Sequence, residues 1–253
     1  MALSSFRRTK LLAGILITFF VLSGFVLLCP VTGMSQDPYK RTRDSITSLI
    51  QEEMKRFSVQ GLSIAIVDDQ KIVWARGFGY ADVNNRIPAK PETIYPAGSI
   101  AKLFTIAAAL QLQEQNKIDI DQPLQAYLPE FSVKTRFLGS NPITIRSIMT
   151  HHSGLPSDRL KEMISRSPIP LKDRVKDLRG EWVAYPPDAI FSYSNVAIQL
   201  LGYLVERVCA KDFASYMKES LFHPMGMNHT SFVIEPHVKP LLSKGYRGSW
   251  ESE

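Results

Sequence analysis

The run Leu103-Phe104-Thr105-Ile106-Ala107-Ala108-Ala109-Leu110-Gln111-Leu112 is apolar on almost every face of a helix. It predicts a helix buried on most sides, so the chain must build a packed interior around it. At its mouth stands Ser99-Ile100-Ala101-Lys102. If the helix begins there, serine and lysine lie three apart on one face. An amine placed so can take the proton of a hydroxyl that is otherwise a weak nucleophile. Partial burial of an amine favours its neutral, basic form. The helix start also offers Ser99 free N–H groups and the positive end of the dipole. A plain helix-capping serine, with a lysine reaching back to water, fits the same four residues.

Two further groups carry polar chemistry. Phe191-Ser192-Tyr193-Ser194-Asn195 follows the breaker Tyr185-Pro186-Pro187-Asp188 and precedes another apolar helix, Val196 to Val208. Tyr193 and Asn195, two apart in a non-helical stretch, point the same way. A tyrosine can hold or pass a proton, and an asparagine offers a donor and an acceptor to an amide. The plainer alternatives are a half-buried aromatic and an N-cap. The third group, Ile148-Met149-Thr150-His151-His152-Ser153-Gly154-Leu155-Pro156, reads as a short helix running into a Gly-Pro turn. Adjacent histidines cannot both face one ligand, and His-Glu-x-x-His is missing among the five histidines, so no metal site is expected.

In order, the stretches GLSIAIVDDQKIVWARGFGYAD (61–82), ETIYPAGSIAKLFT (92–105), ITIRSIMTHHSGLP (143–156) and FSYSNVAIQLLGYLVE (191–206) resemble the penicillin-recognising serine hydrolases. The Tyr-x-Asn form points to the branch of class C β-lactamases, D-Ala-D-Ala carboxypeptidases and related esterases rather than to the class A enzymes. The resemblance runs from about residue 43 to about 246. It implies an α/β, β-lactamase-like fold, an antiparallel sheet flanked by helices with a helical subdomain beside it. It further implies Ser99 as the acylated nucleophile, Lys102 as its proton acceptor, Tyr193 as proton shuttle and Asn195 as the group that binds the substrate amide. The Ser99 N–H would be one oxyanion donor. His151 matches the family's His-x-Ser-Gly turn, which is structural rather than chemical. The family often has glycine where this chain has Asp188, and aspartate tolerates left-handed backbone. No cofactor is implied, because nucleophile and base are both side chains.

One family feature is missing. Relatives carry Lys-Thr-Gly, His-Thr-Gly or a similar triplet on a late strand, and none follows Asn195 here. The expectation is a chain lacking the C-terminal strands and helix of the fold. Its sheet edge, with Ile64, Ile66, Ile72 and Trp74, would then invite pairing or aggregation, and the chain alone would be marginally stable and weakly active. Two functional expectations follow. One is a serine hydrolase acting through an acyl-enzyme on β-lactams, D-amino acid peptides or esters. The other is a catalytically retired, membrane-tethered module with the same fold.

Residues 1–35 read as a signal peptide or signal anchor, followed by one partial hydrolase domain over 36–253. Arg7, Arg8 and Lys10 precede an uncharged apolar run of 18 residues, Leu11 to Leu28, at the lower limit for a membrane span. Cleavage after Gly33 gives a secreted or periplasmic domain; without it, residues 11–28 anchor the domain outside the inner membrane. A lipoprotein on Cys29 fits poorly, since Leu28 is large. The leader's three cations take the net charge from +6 to +3, and no basic stripe with interleaved aromatics occurs, so nucleic acid is not an expected partner. The expected partner is a small-molecule or peptide substrate, with the membrane added if the leader stays. Lys40-Arg41-Thr42-Arg43 reads as solvated linker. Cys209 has no partner in the mature chain and is expected to be a small buried hydrophobe.

Along the chain, Asp44 is expected to cap a helix that buries Ile46, Leu49, Ile50, Met54 and Phe57 and ends at Gly61. Two strands, Leu62–Val67 and Lys71–Ala75, flank an Asp68-Asp69-Gln70 turn. A loop over 82–98 leads into the Ser99 helix, which runs to about Gln115. Residues 124–190 read as a helical, irregular subdomain punctuated by prolines, and helices at 195–209 and about 212–221 follow.

Overall fold

The computed structural model describes residues 37–158, 170–247 and 250–251. The leader expected over 1–35 lies outside the described residues. Among the described residues, no helix is long and apolar enough to cross a membrane.

The chain divides into two compact units. The smaller holds helix α1 (Lys40–Arg56) and the distal half, 64–75, of a hairpin formed by β1 (Gly61–Asp68) and β2 (Lys71–Asp82). The helix starts four residues before Asp44. Tyr39 is its N-cap and no side chain caps the helix; Asp37 accepts from the Tyr39 N–H at 3.0 Å just ahead of it, and Lys40 pairs with Asp44 along the first turn. None of its residues is buried, and Phe57 stays 63 % exposed, so the expected buried face is only partly covered. The hairpin turn has both Asp69 and Gln70 in the left-handed region, as a two-residue connection between twisted strands requires. Of the four apolar strand residues expected to lie uncovered, Ile72 is 70 % exposed, whereas Ile64, Ile66 and Trp74 are half-buried.

The larger unit holds the hairpin base and everything from Arg76 on. β2 continues past Ala75 to Asp82 and pairs antiparallel with β3 (Ile87–Pro88) through a register shift, a strand the 82–98 loop concealed. The sheet order is β1-β2-β3. The segment 241–244 runs beside it, with Ser243 N–H donating to Ile94 and Lys244 N–H to Ala81. A short hairpin of β4 (Tyr246–Arg247) and β5 (Trp250–Glu251) follows.

The core of this unit is helical. A 3-10 turn (Gly98–Ile100) leads into α2 (Ala101–Glu114), which buries Thr105, Ala108, Ala109 and Leu112. The all-round burial expected of this helix is not found: Leu103 is 66 % exposed and Leu110 is also exposed, because only one side meets the core. α3 (Ile145–Met149) is held by a reciprocal cap, Thr144 accepting from the Ser147 N–H while Ser147 Oγ accepts from the Thr144 N–H. α4 (Leu171–Asp177) is the other regular helix described between 124 and 190, so this region is more turn than helix. α5 (Asn195–Cys209) is the central element and buries residues on nearly all sides, from Val196 to Val205. α6 (Phe213–Met217) runs on into a π turn at Lys218–Phe222. Leu112, Ile145, Ile148, Leu200, Leu201 and Leu204 form one fully buried cluster. Cys209 packs at its margin, half-buried, with its thiol pushed up chiefly by burial.

Candidate active site

The three polar groups converge within the larger unit. Gly98 adopts φ +54° with open space around it, and this turn sets Ser99 at the exposed end of α2. One helical step on, Lys102 is half-buried, and its Nζ donates to Ser99 Oγ at 3.0 Å. Tyr193, 94 residues away in sequence, donates from its hydroxyl to the same Oγ at 2.7 Å. Lys102 Nζ also stands 4.9 Å from the centre of the Tyr193 ring. The Lys102 ammonium, and then the contact with Ser99, hold the Tyr193 hydroxyl below the usual phenol range. Two groups that can exchange protons thus meet one hydroxyl. Either one, as neutral amine or phenolate, can reverse its hydrogen bond and remove the serine proton.

Asn195 opens α5 but does not cap it. Ser194 caps the helix, its Oγ accepting from the Ala197 N–H at 2.9 Å and donating to the Pro156 carbonyl at 2.6 Å. That division of labour leaves the Asn195 side chain to the site. Its Nδ2 donates to both oxygens of Asp158, at 2.9 and 3.0 Å, which turns Oδ1 away from that carboxylate. Asp158 escaped the sequence reading: it sits two residues after Pro156 in an irregular stretch, with no periodicity or motif to mark it. Backbone bonds lock the two loops together, the Asn195 N–H donating to Ser157 at 2.8 Å and the Ser192 N–H to His151 at 2.7 Å.

The His-His-Ser-Gly turn is the frame for Tyr193. His151 has φ +59°, and its ring lies 4.5 Å from the Tyr193 ring. Its Nδ1 accepts from the Ser194 N–H at 3.2 Å, so the neutral ring with its proton on Nε2 fits this place. Burial, then the Lys102 and His152 charges, push the His151 imidazole below its ordinary value. His152 turns elsewhere, its Nδ1 meeting the Thr150 carbonyl at 2.8 Å. Gly154, at φ +67°, leaves no room for a Cβ against the Tyr185 carbonyl. Asp188 is left-handed at φ +66°, as expected for a residue standing in for glycine.

Ser99, Lys102, Asp158 and Asn195 line a cavity of about 760 Å³ that extends along α5 past Gln199 to Phe213.

Known proteins resemble this chain in sequence and fold. The family model described as Beta-lactamase matches residues 46–251. The chain is 30 % identical over 193 residues to "Protein flp" of Staphylococcus aureus, covering 76 % of this chain and 38 % of flp. Among solved structures, it resembles an octameric penicillin-binding protein homologue from Pyrococcus abyssi, at a TM-score of 0.70 and 31 % identity, over 81 % of this chain and 48 % of that one. It also resembles the D-alanine carboxypeptidase AmpC from Burkholderia cenocepacia, at 0.69 and 27 %, over 83 % of this chain and 56 % of that one. The chain therefore spans between about two fifths and three fifths of the length of these relatives.

Proposed function

The chain belongs to the beta-lactamase family, and from that premise we propose that it is a serine hydrolase that works through an acyl-enzyme on Ser99. The observation that carries this reading is the meeting of Lys102 Nζ and Tyr193 OH on Ser99 Oγ, at 3.0 and 2.7 Å, with Ser99 and Lys102 lining the cavity. Lys102 as free amine takes the Ser99 proton while Oγ bonds to the substrate's acyl carbon. The Ser99 N–H donates to the oxyanion. Collapse of the tetrahedral adduct breaks the acyl bond, and the Tyr193 hydroxyl hands its proton to the leaving nitrogen or oxygen. For deacylation the phenolate of Tyr193 takes a proton from water, the resulting hydroxide attacks the ester, and Ser99 Oγ leaves by taking back the proton that Lys102 holds. Asn195 holds the substrate amide.

The substrates proposed are β-lactams, D-amino acid peptides or simple esters, which share this chemistry. Residues 1–35 are proposed to deliver residues 36–253 outside the cytoplasm, secreted or anchored, where cell-wall peptides are found. The relatives named above, a carboxypeptidase and a penicillin-binding protein homologue, support that choice of substrate. The test is intact-mass analysis of the full chain after exposure to a fluorescent penicillin and, separately, a fluorophosphonate. One adduct per chain, lost in Ser99→Ala, is expected. A folded chain that takes up neither reagent overturns the reading.

A further inference from the structure

The wall of the cavity nearest Ser99 is rich in acceptors. Asp158 presents a carboxylate, half-buried and bonded to the Asn195 amide rather than to any cation among the described residues. Its charge reaches the reacting groups, since it opposes ionisation of Tyr193. Held by that carboxylate, Asn195 keeps Oδ1 for another donor. One turn along the same face of α5, Gln199 Oε1 is buried with no hydrogen-bond partner among the described residues, although its residue lines the cavity. The other carboxylates of the cavity differ. Glu206 accepts from the Phe213 N–H at 2.9 Å and Asp212 from the Ser215 N–H at 3.0 Å, so both serve the start of α6. Only Asp158 has its charge tied to a residue of the catalytic group. A buried acceptor without a donor is costly, so a ligand that brings N–H groups to this wall gains more than one that brings oxygens.

Resting on the hydrolase reading above, we propose that Asp158 makes this wall an ammonium subsite, selecting substrates whose acyl part carries a positively charged amine beside the amide that Asn195 holds. The amide of such a substrate donates to Asn195 Oδ1, and its ammonium pairs with Asp158. Neutral acyl groups enter without that pairing, and a carboxylate in the same place is repelled.

Three penicillins test this directly, because they share one phenylacetamido skeleton and differ in a single substituent beside its carbonyl. Ampicillin has an ammonium there, benzylpenicillin hydrogen and carbenicillin a carboxylate. The second-order rate of Ser99 adduct formation is measured for each on the full chain, relative to the fluorophosphonate rate of the same variant. Ampicillin is expected to react about tenfold faster than carbenicillin, with benzylpenicillin between them, as one moderately screened ion pair would give. In Asp158→Asn, which keeps size and one of the two acceptors for Asn195 Nδ2 but removes the charge, the ratio is expected to fall to near one. If that variant does not fold, N-acetylation of ampicillin must abolish its advantage in the unaltered chain. Equal rates for the three compounds, or an order that survives Asp158→Asn, overturn the subsite. A fluorophosphonate adduct with no penicillin adduct overturns it too and leaves the hydrolase reading standing, whereas the loss of both adducts removes that reading first.

Discussion

At Ser99 the chemistry depends on which neighbour holds a proton, and the two neighbours can be separated experimentally. Lys102 is the leading reason the Tyr193 phenol ionises below its usual range of about 10. Lys102→Met is therefore expected to move that ionisation upward, seen as tyrosinate absorbance after subtracting a Tyr193→Phe control, and to slow Ser99 acylation by about 10² to 10⁴. An unmoved Tyr193 titration in Lys102→Met would contradict this account. His151 gives a second handle. Its Nδ1 can accept from the Ser194 N–H only when neutral, and its folded value lies below the ordinary value of about 6.5. With the folded value depressed, the unfolded chain binds more protons in the window below 6.5. Stability is thus full above that pH and falls as acid is added toward the folded value. Denaturant titrations at about pH 8 and about pH 5 should show this loss, and His151→Gln should remove that part of it. The other charges facing the ring, Lys102 and His152, act in the same direction, since both disfavour the imidazolium.

At the scale of elements, the site rests on a helix start and a left-handed turn. Ser194 is fully buried and joins two roles, capping α5 and tying it to Pro156. Ser194→Ala removes both and is expected to cost about 1 to 2 kcal/mol in urea denaturation. It should also loosen the register of Tyr193 and Asn195 on either side. A cost below a few tenths of a kcal/mol would mean that neither bond matters. The extents of α2 and α5 were legible in the sequence because apolar runs, breakers and capping residues all agreed on them. What misled there was the face: a run as apolar as 103–112 reads as buried all round, yet composition does not say which sides meet the core, and Leu103 and Leu110 do not. The start of α1 was misplaced because Asp44 reads as a cap, yet the helix begins at Lys40 with no side-chain cap and Asp44 instead pairs with Lys40 inside the first turn. Ser99, Lys102, Tyr193 and Asn195 were singled out by the resemblance of four ordered stretches to a known family, since each spacing alone also fits a plain cap or a core residue; the fold brings the first three together at one hydroxyl. Asp158 was not singled out, since its role depends on a loop closing against the first turn of α5.

At the scale of the larger unit, the site has no local source of order. Its parts come from the start of α2, the turn after α3 and the start of α5, and these share only the core behind them. Leu204, at the centre of α5, is fully buried in that core and does not line the cavity. Leu204→Ala should cost about 2 to 5 kcal/mol, from lost transfer energy and the cavity left behind. Ile72→Thr changes an exposed strand position of the smaller unit and should stay within about 0.5 kcal/mol. The informative comparison is between global unfolding and fluorophosphonate labelling of Ser99 in the same urea series. If the three segments are held in register by the core alone, labelling in Leu204→Ala must be lost at the same lowered urea concentration as the fold. Labelling that outlasted the fold would show that Ser99, Lys102 and Tyr193 keep one another in place through their own hydrogen bonds. Those bonds are exposed to water, and exposed pairs of this kind are too weak to order three segments separated by tens of residues against chain entropy of about 1 kcal/mol or more per residue. The core, rather than the catalytic hydrogen bonds, should therefore set the point at which reactivity disappears.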